Sequence, residues 1–173
     1  MTSARPQFTV TPIGVVHRPG MADETRSEPG TYFDPFAESI IEIFPEWEAG
    51  LPRIEEFSHL VVVLYMDRVT PLAPGDMFAR PLEGREDLPP VGLFATRSPR
   101  RPNPIGLSYP KLLRRDGRNL HIIGTDAWPG TPVLDIKGYY LRDEQRLEAT
   151  APSWLQTLWN GHDKARGGPP PLR

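Results

Sequence analysis

Proline recurs too often in this chain to leave room for long helices. Twenty-two prolines and fifteen glycines are spread through 173 residues. Each proline fixes φ, removes a main-chain donor and biases the residue before it towards extended geometry. What remains between them is a set of short apolar runs rich in β-branched residues, which reads as strands. Phe8–His17 alternates and is interrupted by Pro12, Ile40–Phe44 is compact, and His59–Asp67 is the strongest run and predicts a central strand. Leu107–Arg115 and Asn119–Thr125 flank the turn dipeptide Asp116-Gly117 and read as a hairpin, followed by a strand over Val133–Tyr140. Helical spacing is confined to short turns over Pro45–Glu56 and to Trp154–Lys164, while Arg18–Pro35 and Arg68–Pro90 read as long loops. The expected class is mainly β: a small antiparallel β-barrel or twisted sheet with a few short helices, not alternating βαβ units. One domain is expected over residues 1–150, with a C-terminal helix and a Pro-rich tail over residues 151–173.

The stretch Gly92–Ser108, GLFATRSPRRPNPIGLS, concentrates the chemistry. An apolar start, Val91–Ala95, reads as a short buried strand. Pro99, Pro102 and Pro104 then hold Arg97, Arg100, Arg101 and Asn103 on a stiff extended loop. A guanidinium offers a fork of donors that matches carboxylate or phosphate and stacks on planar rings. An extended loop also leaves main-chain groups free to read a base edge. This combination suits an adenosyl ligand with a carboxylate, or a tRNA backbone.

Other chemistries are excluded or weak. The chain has no cysteine, so disulfides, thiolate catalysis and Cys-ligated metal are ruled out, and the four histidines show no metal-ligand spacing. His17, His59, His121 and His162 read as structural. No GxGxxG or phosphate-loop fingerprint occurs, and neither Ser98 nor Ser108 lies in a GxSxG elbow. The longest apolar run, Leu60–Met66, is too short to span a membrane, and a soluble cytoplasmic protein is expected. With a formal net charge of -2, any nucleic-acid contact must come from a local patch, for which the arginine loop is the best candidate. A second cluster surrounds Asp126, whose carboxylate could take a ribose hydroxyl or an ammonium. Asp135 and Lys137 lie two apart on one strand face, either as a simple ion pair or as substrate contacts, and both readings stay open.

FATRSPRRPNPIGLS, together with EEFSHLVVVLY before it, GTPVLDIK after it and the opening PIGVV, closely resembles the TsaA-like (TrmO) family, over about Phe8 to Tyr140. The resemblance implies a methyltransferase that uses S-adenosylmethionine on a small β-barrel, not a Rossmann fold, with the cofactor near a homodimer interface. Its characterised members methylate N6 of threonylcarbamoyladenosine at tRNA position 37. By that resemblance the cofactor contacts fall on Arg97 and Leu107, on Gly124, Thr125 and Asp126, on Asp67 and Arg68, and on Arg26, Ser27 and Glu28. Substrate contacts are expected at Arg100, Arg101, Asn103, Asp135 and Lys137. No general base is assigned and no metal is implied. Pro129 and Gly138 depart from the pattern, standing where the family usually has aspartate and proline. Two rival readings keep the same scaffold: methylation of a small molecule, or a non-catalytic sensor that binds S-adenosylmethionine.

Overall fold

The computed structural model describes residues 6–22, 36–77, 79 and 82–166. Arg26, Ser27 and Glu28 lie outside the described residues, as does the Pro-rich tail. Among the described residues seven strands are formed: β1 (Gly14–His17), β2 (Ser39–Ile43), β3 (Leu60–Tyr65), β4 (Ile105–Ser108), β5 (Lys111–Asp116), β6 (Asn119–Ile123) and β7 (Pro132–Gly138). They make one antiparallel sheet in the order β4-β3-β7-β1-β2-β6-β5. The mainly β class is as expected, but the sheet does not close into a complete barrel. β4 and β5 are its two edges. A lone bridge, His59 to Lys111, carries β5 towards the start of β3, with Leu60 N donating to Pro110 O at 3.0 Å and Leu112 N to Ser58 O at 2.9 Å.

Period-2 alternation puts one face of these strands into a single core. Val16, Ile41, Ile43, Leu60, Val62, Leu64, Leu120, Ile122 and Val133 are all buried there. At Gly14, β1 approaches β2 so closely that a Cβ would stand 2.4 Å from the Glu42 carbonyl oxygen. An irregularity between Leu112 and Arg114 shifts the phase of β5, so that Arg114 pairs with His121 and shares its face instead of following Leu112 inwards.

Three sequence expectations change. The first strand covers only Gly14–His17, and Phe8 and Val10 are exposed; alternation supplied an apolar pattern but residues 8–12 found no ladder partner. β3 lies next to an edge instead of centrally, and β1 holds the middle. Val91–Ala95 is not a buried strand. Leu93–Ala95 forms a 3-10 turn, closed by Ala95 N donating to Gly92 O and Thr96 N to Leu93 O, each at 3.0 Å, and the Thr96 hydroxyl also donates to Leu93 O at 2.8 Å.

The chain forms two compact units, Met1–Arg68 with Ile105–Tyr139 and Val69–Pro104 with Tyr140–Arg173. The first carries the whole sheet. The second is built from short 3-10 turns, α1 (Leu141–Glu144) and α2 (Ser153–Arg166), with Leu88 and Leu158 buried.

One core oxygen is badly placed. Ser39 Oγ is buried with no hydrogen-bond partner among the described residues. Leaving a hydroxyl desolvated and unpaired costs more than deleting it. Ser39→Ala is therefore expected to stabilise the protein by about 1 kcal/mol, read as a higher urea midpoint at unchanged slope.

Candidate functional site

In the first unit, the segment after β6 is bound to the sheet from three sides. Gly124 leaves β6 at φ +101, a left-handed conformation suited to glycine, and Thr125 turns inwards and is buried. The Thr125 hydroxyl accepts from Ser108 Oγ at 3.0 Å and from Ala127 N at 3.2 Å, tying the segment to β4. Arg18, itself buried, donates from Nε to Ala127 O at 2.9 Å and from Nη2 to Thr125 O at 2.7 Å. Arg68 donates from Nη2 to Pro129 O at 2.9 Å and lies over the Trp128 ring, 5.8 Å from its centroid. Gly130, at φ +81, closes the turn by donating to Val16 O at 2.7 Å.

This framework leaves Asp126 exposed, and its side chain makes no hydrogen bond or ion pair among the described residues. The bonds of Thr125 fix the main chain before Asp126, and Arg68 holds the same segment further along at Pro129. Asp67 is exposed two residues past the end of β3. Leu107 on β4 is 60% exposed, opposite Val63 of β3.

Arg18 is the bracing residue that motif reasoning missed. Strand period alone could have found it, since Gly14, Val16 and Arg18 alternate onto the buried face. Arg18→Ala would leave two carbonyls without their charged donor, at a cost of about 3 kcal/mol. Arg18→Lys should recover little, because an ammonium cannot reproduce the fork. Thermal denaturation of both variants checks this.

In the second unit, the arginine loop is stitched by its own hydroxyls. Ser98 N donates to Thr96 Oγ1 and Arg100 N to Ser98 Oγ, each at 3.3 Å. Arg101 folds back, donating from Nη1 to Thr96 O at 3.0 Å and stacking over Phe94 at 5.8 Å, while its carbonyl accepts from Leu72 N at 3.1 Å. Arg97, Arg100 and Asn103 are exposed. The guanidiniums of Arg97 and Arg100 make no hydrogen bond or ion pair among the described residues. Two of the three arginines are thus available to an anion, and the third braces the loop.

The remaining predicted polar residues find partners. Asp135 accepts from Ile136 N at 2.9 Å and pairs with Lys137. His17 bonds Glu42 at 3.0 Å, and Glu42 also meets Arg118 at 3.2 Å. Glu38 meets His121 Nδ1 at 2.6 Å and Arg114 Nη2 at 3.0 Å. The His121 hydrogen bond first, and then that of Arg114, hold the Glu38 carboxyl below its ordinary value. A lowered folded-state value stabilises the fold above the unfolded pKa, and that contribution is lost as pH falls through the folded value. Glu38→Gln should therefore show a shallower loss of melting temperature between about pH 5 and about pH 3 than the unaltered chain.

Among the described residues there is no group of three or more His, Cys, Asp or Glu able to hold a metal, and no helix long and apolar enough to cross a membrane. The first unit thus exposes a carboxylate and a leucine, and the second exposes two guanidiniums.

Comparison with known proteins decides the family. The model of the tRNA-methyltransferase O N-terminal domain matches residues 29–143. The chain belongs to the tRNA-methyltransferase O family. A relative from Archaeoglobus fulgidus, described as a probable S-adenosyl-L-methionine-binding protein, is 52% identical over 99 residues, 57% of this chain and 25% of that protein. A Pyrococcus abyssi protein with the same description is 36% identical over 156 residues, covering 90% of this chain and 80% of its own length. The mouse protein named tRNA (adenine(37)-N6)-methyltransferase is 34% identical over 141 residues, 72% of this chain and 32% of that protein. This chain thus spans about a quarter of the first relative and about a third of the mouse one. A solved structure of TrmO from Pseudomonas aeruginosa has the same fold, with a TM-score of 0.64 at 22% identity over 95% of this chain and 76% of that one.

Proposed function

We propose that this TrmO-family chain is a cytoplasmic, homodimeric methyltransferase that binds S-adenosylmethionine and methylates N6 of threonylcarbamoyladenosine at tRNA position 37. The observation that carries this reading is the family match spanning the arginine loop, in which Arg97 is exposed and unpaired. The relatives' names supply the cofactor and the substrate class. Each unit offers chemistry of the kind this cofactor needs. On the first, an exposed carboxylate at Asp126 suits ribose hydroxyls and the apolar surface of Leu107 suits an adenine face; on the second, the Arg97 fork suits a carboxylate. When bound, the cofactor supplies a methyl group activated by its sulfonium.

The protein's contribution to such a displacement is positioning and fixed dipoles. Arg18, Ser108 and Arg68 hold the segment bearing Asp126 in place before ligand arrives. For tRNA, Arg100 and Asn103 offer donors, and Asp135 with Lys137 offers a paired charge on β7. Dimer formation is supported by Ile105, Leu107 and Tyr109, exposed apolar residues on and beside edge strand β4. Sedimentation should give twice the chain mass; a monomer at micromolar concentration would remove the dimer from the proposal.

Isothermal titration with S-adenosylmethionine tests the cofactor, and incubation with labelled cofactor and unmethylated tRNA tests the substrate. The archaeal relatives, described only as binding proteins, favour a second reading, a non-catalytic sensor. Binding without label transfer to tRNA or to a metabolite extract would select it.

A further inference from the structure

We infer that Phe94 is a stacking platform for an unpaired RNA base flanking the target nucleotide, a role that rests on the tRNA reading above. Phe94 is 72% exposed on the 3-10 turn Leu93–Ala95. What sets it apart from other exposed apolar side chains is that its ring is held in a fixed orientation beside free cations. Its ring is braced from one side by Arg101, whose guanidinium is fixed by donation to Thr96 O. The loop carries the brace firmly, since the Arg101 carbonyl accepts from Leu72 N. The platform is therefore held in place before any ligand arrives. Met77, Ala79 and Leu93 line a shallow apolar hollow with it.

The surroundings choose the partner. Arg97 and Arg100 follow three and six residues later, exposed and unpaired among the described residues. Aromatic rings interleaved with free guanidiniums are how single-stranded nucleic acid is held, with bases on the rings and phosphates on the cations. The chain's overall net charge of -2 offers no general attraction, so the local patch must supply it. A methyl acceptor on an exocyclic nitrogen must be splayed from its stack, and its neighbour then needs a replacement surface. Phe94 supplies one.

The test measures binding of an anticodon stem-loop RNA, by fluorescence anisotropy at several salt concentrations, to the intact chain and to Phe94→Ala and Phe94→Trp. The alanine variant should bind on the order of 10- to 100-fold more weakly with an unchanged salt slope, because stacking and not phosphate contact is lost. The tryptophan variant should stay within about 3-fold of the original. Titration with S-adenosylmethionine and the melting temperature should be unchanged in both. Wild-type affinity in Phe94→Ala, or equal binding of a blunt duplex and the stem-loop, would overturn the platform while leaving the tRNA reading standing. If the unaltered chain binds neither stem-loop nor tRNA at low salt, both fail.

Discussion

Arg97→Ala is expected to weaken S-adenosylmethionine binding by at least about 100-fold while leaving the melting temperature within about 1 °C of the original. The two halves of this expectation have separate grounds. Arg97 is exposed and its side chain makes no contact of the hydrogen-bond or ion-pair kind among the described residues, so its removal takes nothing from the fold. A fork engaging a carboxylate through parallel N–H donors is worth about 3 kcal/mol when removal leaves the partner charge desolvated and unmatched. Arg97→Lys should recover only part of the affinity, since a point charge lacks the planar geometry. Calorimetry beside thermal denaturation separates the effects. Unchanged affinity in a folded variant would take Arg97 out of the cofactor site. Arg101→Ala should behave differently, disturbing the loop through loss of its bond to Thr96 O.

Gly14→Ala is the substitution expected to damage the fold most. An added Cβ would lie 2.4 Å from the Glu42 carbonyl oxygen, 3.2 Å from its carbon and 3.2 Å from Ile43 Cδ1. The closest atom is main chain of a paired strand, so no side-chain rotation relieves the clash. β1 and β2 must separate, and β1 is the middle strand, bonded to β7 on its other side. The expected cost is about 4 kcal/mol, a fall in melting temperature on the order of 10 °C. Gly20→Ala makes the comparison. That residue has φ +81 but nothing within 4 Å of an added Cβ, so only left-handed strain of about 1 kcal/mol is expected. Equal effects of the two variants would mean that the approach of β1 to β2 is not tight.

Much of the fold was legible because alternation and turn chemistry are local. Ile40–Ile43, the hairpin about Asp116-Gly117, the strand after Pro132 and the helix carrying Trp154 and Leu158 all follow from patterns within a few residues. Strand order is not local. The pairing of β2 with β6 and of β3 with β7 joins distant segments, which is why the run at His59–Asp67 read as central although it lies beside an edge. Val91–Ala95 shows the limit of apolar runs: main-chain bonds from Ala95 and Thr96, with the Thr96 hydroxyl added, close such a run into an exposed 3-10 turn. At the site, residue type singled out Arg97 and Asp126, both exposed and unpaired among the described residues. It could not separate them from neighbours of the same chemistry. Thr125 and Arg101 turn inwards to carbonyls and hydroxyls that only the folded backbone brings near. Arg18 carried no motif and was visible only because it continues the inward alternation of β1 one residue past the strand.

The most direct test of the proposed activity is transfer of a radiolabelled methyl group from S-adenosylmethionine to tRNA isolated from cells lacking this modification, followed by nucleoside analysis. The account predicts label in a single methylated threonylcarbamoyladenosine peak, lost in Arg97→Ala. Tight binding of S-adenosylmethionine with no label in tRNA would contradict it.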